Sequence, residues 1–400
     1  MSLKIRKRDI IPFFSFLLIT LGNGVYISNK YGDMFEYLGV LFLSVLSLFS
    51  LRKIKIKDCF KILIFVLILS LGCFVFDNTS KTRFMIISTS IIISILSTCS
   101  GSIINSNKRI KLVITSIFTG IIINTIIGFI TGSVGITIHD GIIGILFLCG
   151  FSVKNYCGGI WMVLFILNYT FYMRENKLNS RKCIYALIIN IIFLILSGSK
   201  GACILCIIFI FAVNYSKFVN LKLSQKRLFS FIILICSIVF GVYVYKNILI
   251  NIDTYAFRMR GFENLLNYLL SDFRRFIFGM SDIAYANNNR TYVYNIRNFL
   301  GWESSVEMAY VNILIKNGII GYIPYICIFK KYLKNIKNLK KTDRYLLFAL
   351  IIMMLVSGFV ETYIVSIHYV VGPVLYCLLN GLIEQNEGKV NENKCNHSCL

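Results

Sequence analysis

The sequence predicts an all-α polytopic integral membrane protein with about twelve transmembrane helices and one long extracytoplasmic loop between the ninth and tenth. Three observations predict it. Apolar runs of about 18–20 residues recur along the whole chain, each long enough to cross a hydrocarbon core of about 30 Å. Only 15% of the residues are charged while 57% are hydrophobic, and the mean hydropathy is +0.74; a soluble domain carries about 25% charge. Third, the basic residues cluster in the short gaps between the runs.

The first run, 10–28, follows Lys4, Arg6, Lys7 and Arg8 and has no small-residue cleavage site, so it is expected to be a retained span and not a signal peptide. The next spans are expected at 36–51, 59–76, 84–103, 112–130, 156–173, 183–197, 201–216 and 228–247, then 308–329, 345–362 and 365–383. Segment 142–151 is too short to cross and reads as a re-entrant or interfacial piece. Four regions follow: a bundle over 1–247, an outer loop over 248–307, a second set of spans over 308–383 and a cytoplasmic tail over 384–400.

Charge sets the orientation. With the N-terminus inside, about two thirds of the 42 Lys and Arg fall on the cytoplasmic side, including "KKYLKNIKNLKKTDR" after the tenth span. The formal charge of +24 therefore reads as a topology signal; no nucleic-acid-binding signature accompanies it. Both termini are expected in the cytoplasm, and the gap between spans seven and eight on the outer face. Most of the 13 cysteines lie in apolar runs, where Cys packs as a small hydrophobe, and no disulfide framework is read from them. Cys203 and Cys206 read as packing, and Cys395, His397 and Cys399 as part of a polar tail. No metal site is expected.

Within the outer loop, Phe262, Leu265, Leu266, Leu269, Leu270 and Phe273 recur at helical spacing, which predicts an amphipathic helix at the membrane interface. Several features there and elsewhere in the chain bear on chemistry. Lys200 sits in "SGSKG", where it either snorkels to headgroups or meets a phosphate across a tight turn. Arg258, Arg260, Arg274 and Arg275 lie outside against the general bias; guanidinium suits phosphate, and anionic lipid is the plainer partner. Glu303 and Glu307 precede span ten, where a carboxylate can serve as a general base or simply face solvent. Lys154, Asn155 and Tyr156 follow the short apolar piece, at the entry to span six. Lys316, within span ten, is expected to face the bundle interior or water, since an ionisable group in lipid costs about 2.5–3.5 kcal/mol. Glu361 and His368 flank the turn between the last two spans, His368 reading as a satisfied interfacial histidine, and His139 and Asp140 as loop residues.

In order along the chain, "GFSVKN", "SGSKG", an Arg-bearing outer loop ending in Phe278-Gly279, Glu307 with Tyr310 three residues on, and "NGIIG" resemble the O-antigen and capsular polysaccharide polymerases (Wzy-type) of the O-antigen ligase/polymerase superfamily. The motif resemblance covers about 140–330. It implies an inverting, metal-independent glycosyl transfer at the outer leaflet of a bacterial plasma membrane, with no cofactor. A glycan on undecaprenyl diphosphate would be the donor and a lipid-linked repeat unit the acceptor. Its partners would be membrane lipids and the chain-length regulator and flippase of the same pathway, with no nucleic acid. Residue by residue, the resemblance makes Lys200, Arg260 and Glu307 catalytic, and Arg258, Arg275, Lys154, Asn155 and Tyr310 substrate-binding. Three departures stand out: Lys200 where the family has arginine, Met308 where asparagine is common, and Glu307 where His or Asp is usual. Aromatics Tyr285, Tyr292, Tyr294 and Trp302 would pack on sugar faces or on one another. A glycan ligase of the same superfamily is the enzyme alternative. A lipid-linked oligosaccharide flippase or transporter is the non-enzyme one, although a major-facilitator protein would place its long loop inside, after span six.

Overall fold

The computed structural model describes residues 7–49, 56–75, 80–138, 145–175, 180–218, 253–279 and 308–397. Span 228–247 and Glu307 lie outside these residues, as do the four loop aromatics, and His139 and Asp140. Among the described residues the fold is helical, apart from one pair of short strands and irregular connections. The chain begins with α1 (Lys7–Gly22), α2 (Val25–Tyr31) and α3 (Met34–Phe49), followed by α4 (Ile56–Ser70), α5 (Gly72–Val75) and α6 (Ser80–Cys99). A 3-10 turn at Ser100–Ile103 leads to α7 (Asn107–Thr131). Strands β1 (Ile136–Ile138) and β2 (Ile145–Phe147) pair antiparallel. Next come α8 (Lys154–Arg174), α9 (Ser180–Leu196), α10 (Lys200–Phe218), α11 (Asp253–Leu270) and α12 (Phe273–Phe278). The last described stretch holds α13 (Ala309–Asn317), α14 (Tyr322–Asn335), α15 (Lys341–Val360) and α16 (Val371–His397).

Among the described residues, four helices are long and apolar enough to cross a membrane: Arg83–Ile103, Asn107–Thr131, Lys154–Arg174 and Lys341–Val360. The distribution of polarity explains the environment they suit. Large apolar side chains on α9 (Ile184, Ile188, Ile192, Ile195) face outward. Several hydroxyls, by contrast, are turned inward. Thr20, Ser44, Ser47, Ser90 and Ser94 are buried, and each donates to the carbonyl four residues earlier in its own helix. Small residues with satisfied hydroxyls let helices approach closely in hydrocarbon, where burial of apolar surface drives nothing. Helix α8 is apolar all round, and 78% of its span is buried, so it is the central post. It packs on α7, α9 and α10, while α10 lies along α15 and α1 lies between α3 and α7.

Several expected spans are interrupted. The run at 10–28 stops at Gly22, and α2 and α3 meet at 92°. The backbone is satisfied elsewhere there: the Val25 amide donates to the Gly150 carbonyl (2.9 Å) and Gly24 bridges to Phe151. The span at 308–329 is two helices broken at Gly318, whose φ of +64° ends α13. Segment 145–147, within the expected re-entrant piece, is a strand. Residues 361–370, partly assigned to the last span, are irregular, and α16 runs on through the expected tail to His397.

Helix ends sort into two layers. In one, Lys108 pairs with Asp9 (2.9 Å), Lys111 with Glu175 (3.4 Å) and Arg174 with Asp343 (2.8 Å). These are basic residues that the sequence assigns to a single face. The other layer holds the α9–α10 hairpin, the start of α8 and the 361–370 segment.

Candidate functional site at the hairpin end of the bundle

The hairpin follows from its residues. Gly198 adopts φ +67°, a conformation that L side chains rarely take, and so turns the chain between α9 and α10. Ser197 Oγ donates to the Leu194 carbonyl (2.6 Å) and accepts from the Ser199 amide (3.3 Å). Ser199 Oγ accepts from the Ala202 amide (3.4 Å), so Ser199 caps α10 and Lys200 is its first residue. The Lys200 side chain is exposed.

The same turn is docked on the start of α8. A Cβ on Gly158 would stand 2.3 Å from the Ser199 Cβ, so only glycine allows this approach. Ser199 Oγ lies 3.5 Å from Asn155 Oδ1. Lys154, exposed, opens α8. Two helix N-termini thus converge, each carrying a lysine in its first turn. Partial positive charge at both helix ends adds to the two ammonium groups.

Segment 361–370 crosses this end of the bundle and touches α3, α8, α10 and α13. The Glu361 carbonyl accepts from the Ala309 amide (3.1 Å), which fixes the start of α13 directly after Glu307 and Met308. The buried Glu361 carboxylate lies 2.6 Å from where a Cβ on Gly201 would be, beside the first turn of α10. Tyr363 packs against Gly159 of α8. Tyr369 lies against Tyr156, ring centroids 4.1 Å apart. His368 Nδ1 is 3.7 Å from Glu36 Oε2, and Asn23 Nδ2 donates both to Glu36 Oε1 and to the His368 carbonyl (3.0 Å).

The helix expected from the spacing of Phe262 to Phe273 is present as α11 and α12. Leu265 and Leu269 are buried against Val311, Leu314 and Ile315 of α13, while Leu270 and Phe273 stay exposed. Arg260 is exposed on α11. Arg258 belongs to the same helix, its side chain outside the described ones. Arg275 lies over the Tyr268 ring (4.7 Å) and 3.9 Å from Asp272. Asp272 caps α12 by accepting from the Arg274 amide (2.9 Å), and that bond holds its carboxyl below the usual carboxylate range. Tyr310 is committed to packing: its hydroxyl donates to the Leu355 carbonyl (2.6 Å) and its ring covers Gly358. Lys316 lines a small cavity of about 20 Å³ with Asn312, Thr89 and Ser90, room for about one water, as expected of an ionisable group within a span.

Lys154, Asn155 and Lys200 are therefore brought together, and Tyr310 is tied to them through Ala309 and Glu361. Arg260 and Arg275 sit on helices that pack on α13. What sequence reasoning missed is the part played by 361–370 and by Asn23 and Glu36. A lone acid at the mouth of an apolar run was the available signal. No protein-family model and no curated protein matches the chain.

Proposed function

We propose that the chain is a Wzy-type polysaccharide polymerase of the bacterial plasma membrane, joining lipid-diphosphate-linked repeat units at the outer leaflet. One observation above all supports this reading. Lys154 and Lys200, from motifs some 45 residues apart in the sequence, open two helices joined through Asn155 and Ser199. Such a mouth suits a diphosphate.

In this reading the diphosphate of the donor rests against Lys200, with Lys154 beside it and the α11–α12 arginines (Arg258, Arg260, Arg275) supplied from the loop side. An acceptor hydroxyl attacks the anomeric carbon from the opposite face. The bond to the diphosphate breaks, and the negative charge that develops on the leaving oxygen is met by cations already in place. Lysine serves as a point charge where a guanidinium would grip with two bonds. The hydroxyl proton needs an acceptor, and the resemblance puts one at Glu307, just ahead of α13. Sugar rings would extend toward the loop aromatics.

The test is genetic. Deleting the gene should leave single repeat units on the surface or carrier; full-length unattached chains would mean a ligase, and no exported glycan a flippase. Complementation with Lys200→Ala or Arg260→Ala should reduce chain growth by about 100-fold or more at normal protein level, the loss typical of removing one charge-stabilising group. Wild-type chain lengths in both variants would overturn the roles assigned to them.

A further inference from the structure

Helix α2 leaves the bundle sideways. It meets α3 at 92°, and α3 packs along α1, so α2 runs across the hairpin end of the bundle. Its inner side is fixed. Ile27 is buried, the Val25 amide donates to the Gly150 carbonyl (2.9 Å), and Gly24 bridges to Phe151, three residues before Lys154. Its outer side carries Tyr26, Lys30 and Tyr31, all exposed, with Met34 exposed at the bend. The Lys30 ammonium lies over both rings, 5.7 Å from the Tyr26 centroid and 5.4 Å from that of Tyr31. Length decides what this side faces. Helix α3 has 16 residues and is about 24 Å long, short of a hydrocarbon core of about 30 Å. Beyond its far end at Phe49 come Arg52, Lys53, Lys55 and Lys57, the basic cluster expected at the opposite border of the membrane. With that end at the border, α2 lies where hydrocarbon gives way to headgroups, below the open water.

We propose that the outer side of α2 is a docking surface for phospholipid headgroups of the leaflet at the hairpin end. Tyr26, Tyr31 and Met34 sit in the upper acyl region, and Lys30 reaches a lipid phosphate. Tyrosine is enriched at this depth, its ring among acyl chains and its hydroxyl toward water, and a lysine there carries its ammonium up to the headgroups along an apolar stem. A short helix lying in the interface plane, apolar and cationic on its lipid side, binds by both properties together. Asp33 is exposed at the bend and balances the charge of Lys30. The ligand is therefore the phosphate that all phospholipids share, not an anionic headgroup. This surface needs only the helical membrane class and holds whichever reaction the chain carries out. It also has a consequence for the mouth. Because α2 is tied by backbone bonds to Gly150 and Phe151, its docking sets the start of α8 and Lys154 at the level of lipid phosphates.

The experiment uses full-length protein in nanodiscs of phosphatidylethanolamine and phosphatidylglycerol. A nitroxide label reports its collisions with oxygen, which concentrates in lipid, and with a nickel chelate, which stays in water. In a cysteine-free background the label is carried by Tyr26→Cys or Tyr31→Cys. Ile188→Cys, exposed at the middle of α9, is the lipid reference, and Lys337→Cys, exposed, is the water reference. The ratio of oxygen to nickel collisions at both α2 positions should fall between the two references. A ratio equal to that at Lys337 would overturn the proposal in favour of a platform standing in water, as a glycan would need. Few collisions with either reagent would overturn it in favour of cover by a second copy of the chain. If one of the two variants does not accumulate, the other decides alone. Native mass spectrometry of the protein purified in mild detergent tests the phosphate contact. Lys30→Gln should retain fewer phospholipid molecules than wild type, and an unchanged number would overturn the role given to Lys30.

Discussion

Gly158, Ser199 and Asn155 do the joining that brings the starts of α8 and α10 together. Gly158→Leu forces a side chain into space held by Ser199 and should destabilise the protein by about 1–3 kcal/mol or more. Ser199→Ala removes the α10 cap and the hydroxyl's link to Asn155 without forcing any atom into the packing, and should cost about 1–2 kcal/mol. Thermal unfolding in detergent ranks the two, and equal midpoints would contradict the packing described. At the opposite end, Arg174 and Asp343 form a pair with side chains 7% and 10% exposed. Asp343→Asn should cost about 3–5 kcal/mol, because it leaves a guanidinium buried without its counter-charge. Replacing both residues by apolar ones should cost less than that single change, and a double-mutant cycle measures the difference. The close turn at SGSKG was readable from sequence, since flanking Gly and Ser act on their immediate neighbours, while the Ser199 cap was not read from it. Glu36 and Asn23 were not readable, because their partner is His368, more than 300 residues away.

Among the elements, α11 is the most informative. Its helical spacing was legible, and so was its amphipathic face. Only the fold shows that this face covers α13 and leaves Leu270 and Phe273 outward. Leu265→Ala should cost about 2–5 kcal/mol. Faster amide exchange through α11 and α13, with α7 unchanged, would locate the loss there. Helix α12 depends on its cap at Asp272. Its carboxyl is lowered in the folded state, so the contribution is complete above the ordinary aspartate value of about 3.9 and fades as pH falls through the lower folded value. Exchange protection in α12, corrected for intrinsic rates, should therefore hold from pH 7 to about 4 and fall below it. Asp272→Ala should remove that pH dependence.

At the scale of the whole molecule, the two layers of helix ends carry different chemistry. Ion pairs that join α1 to α7, α7 to the end of α8, and α8 to α15 occupy one. The hairpin and the 361–370 crossing occupy the other. In a cysteine-free background, Lys200→Cys should react with an impermeant maleimide in intact cells, whereas Lys337→Cys should react only after permeabilisation. The reverse pattern would sink both the orientation and the function built on it.

From the sequence alone came the helical membrane class, spans expected at 112–130, 156–173 and 345–362 where helices 107–131, 154–174 and 341–360 lie, and the tight turn before Lys200. Each of these depends on contacts within a few residues or on the preference of a side chain for lipid or water. The tertiary structure decided where helices stop short and what meets at the hairpin end. The chain leaves helix at Gly24 because Gly150 and Phe151 satisfy its backbone, and α13 starts where it does because Glu361 accepts the Ala309 amide. Those bonds close loops of tens to hundreds of residues, so no local pattern encodes them, and they exist only once the bundle has packed.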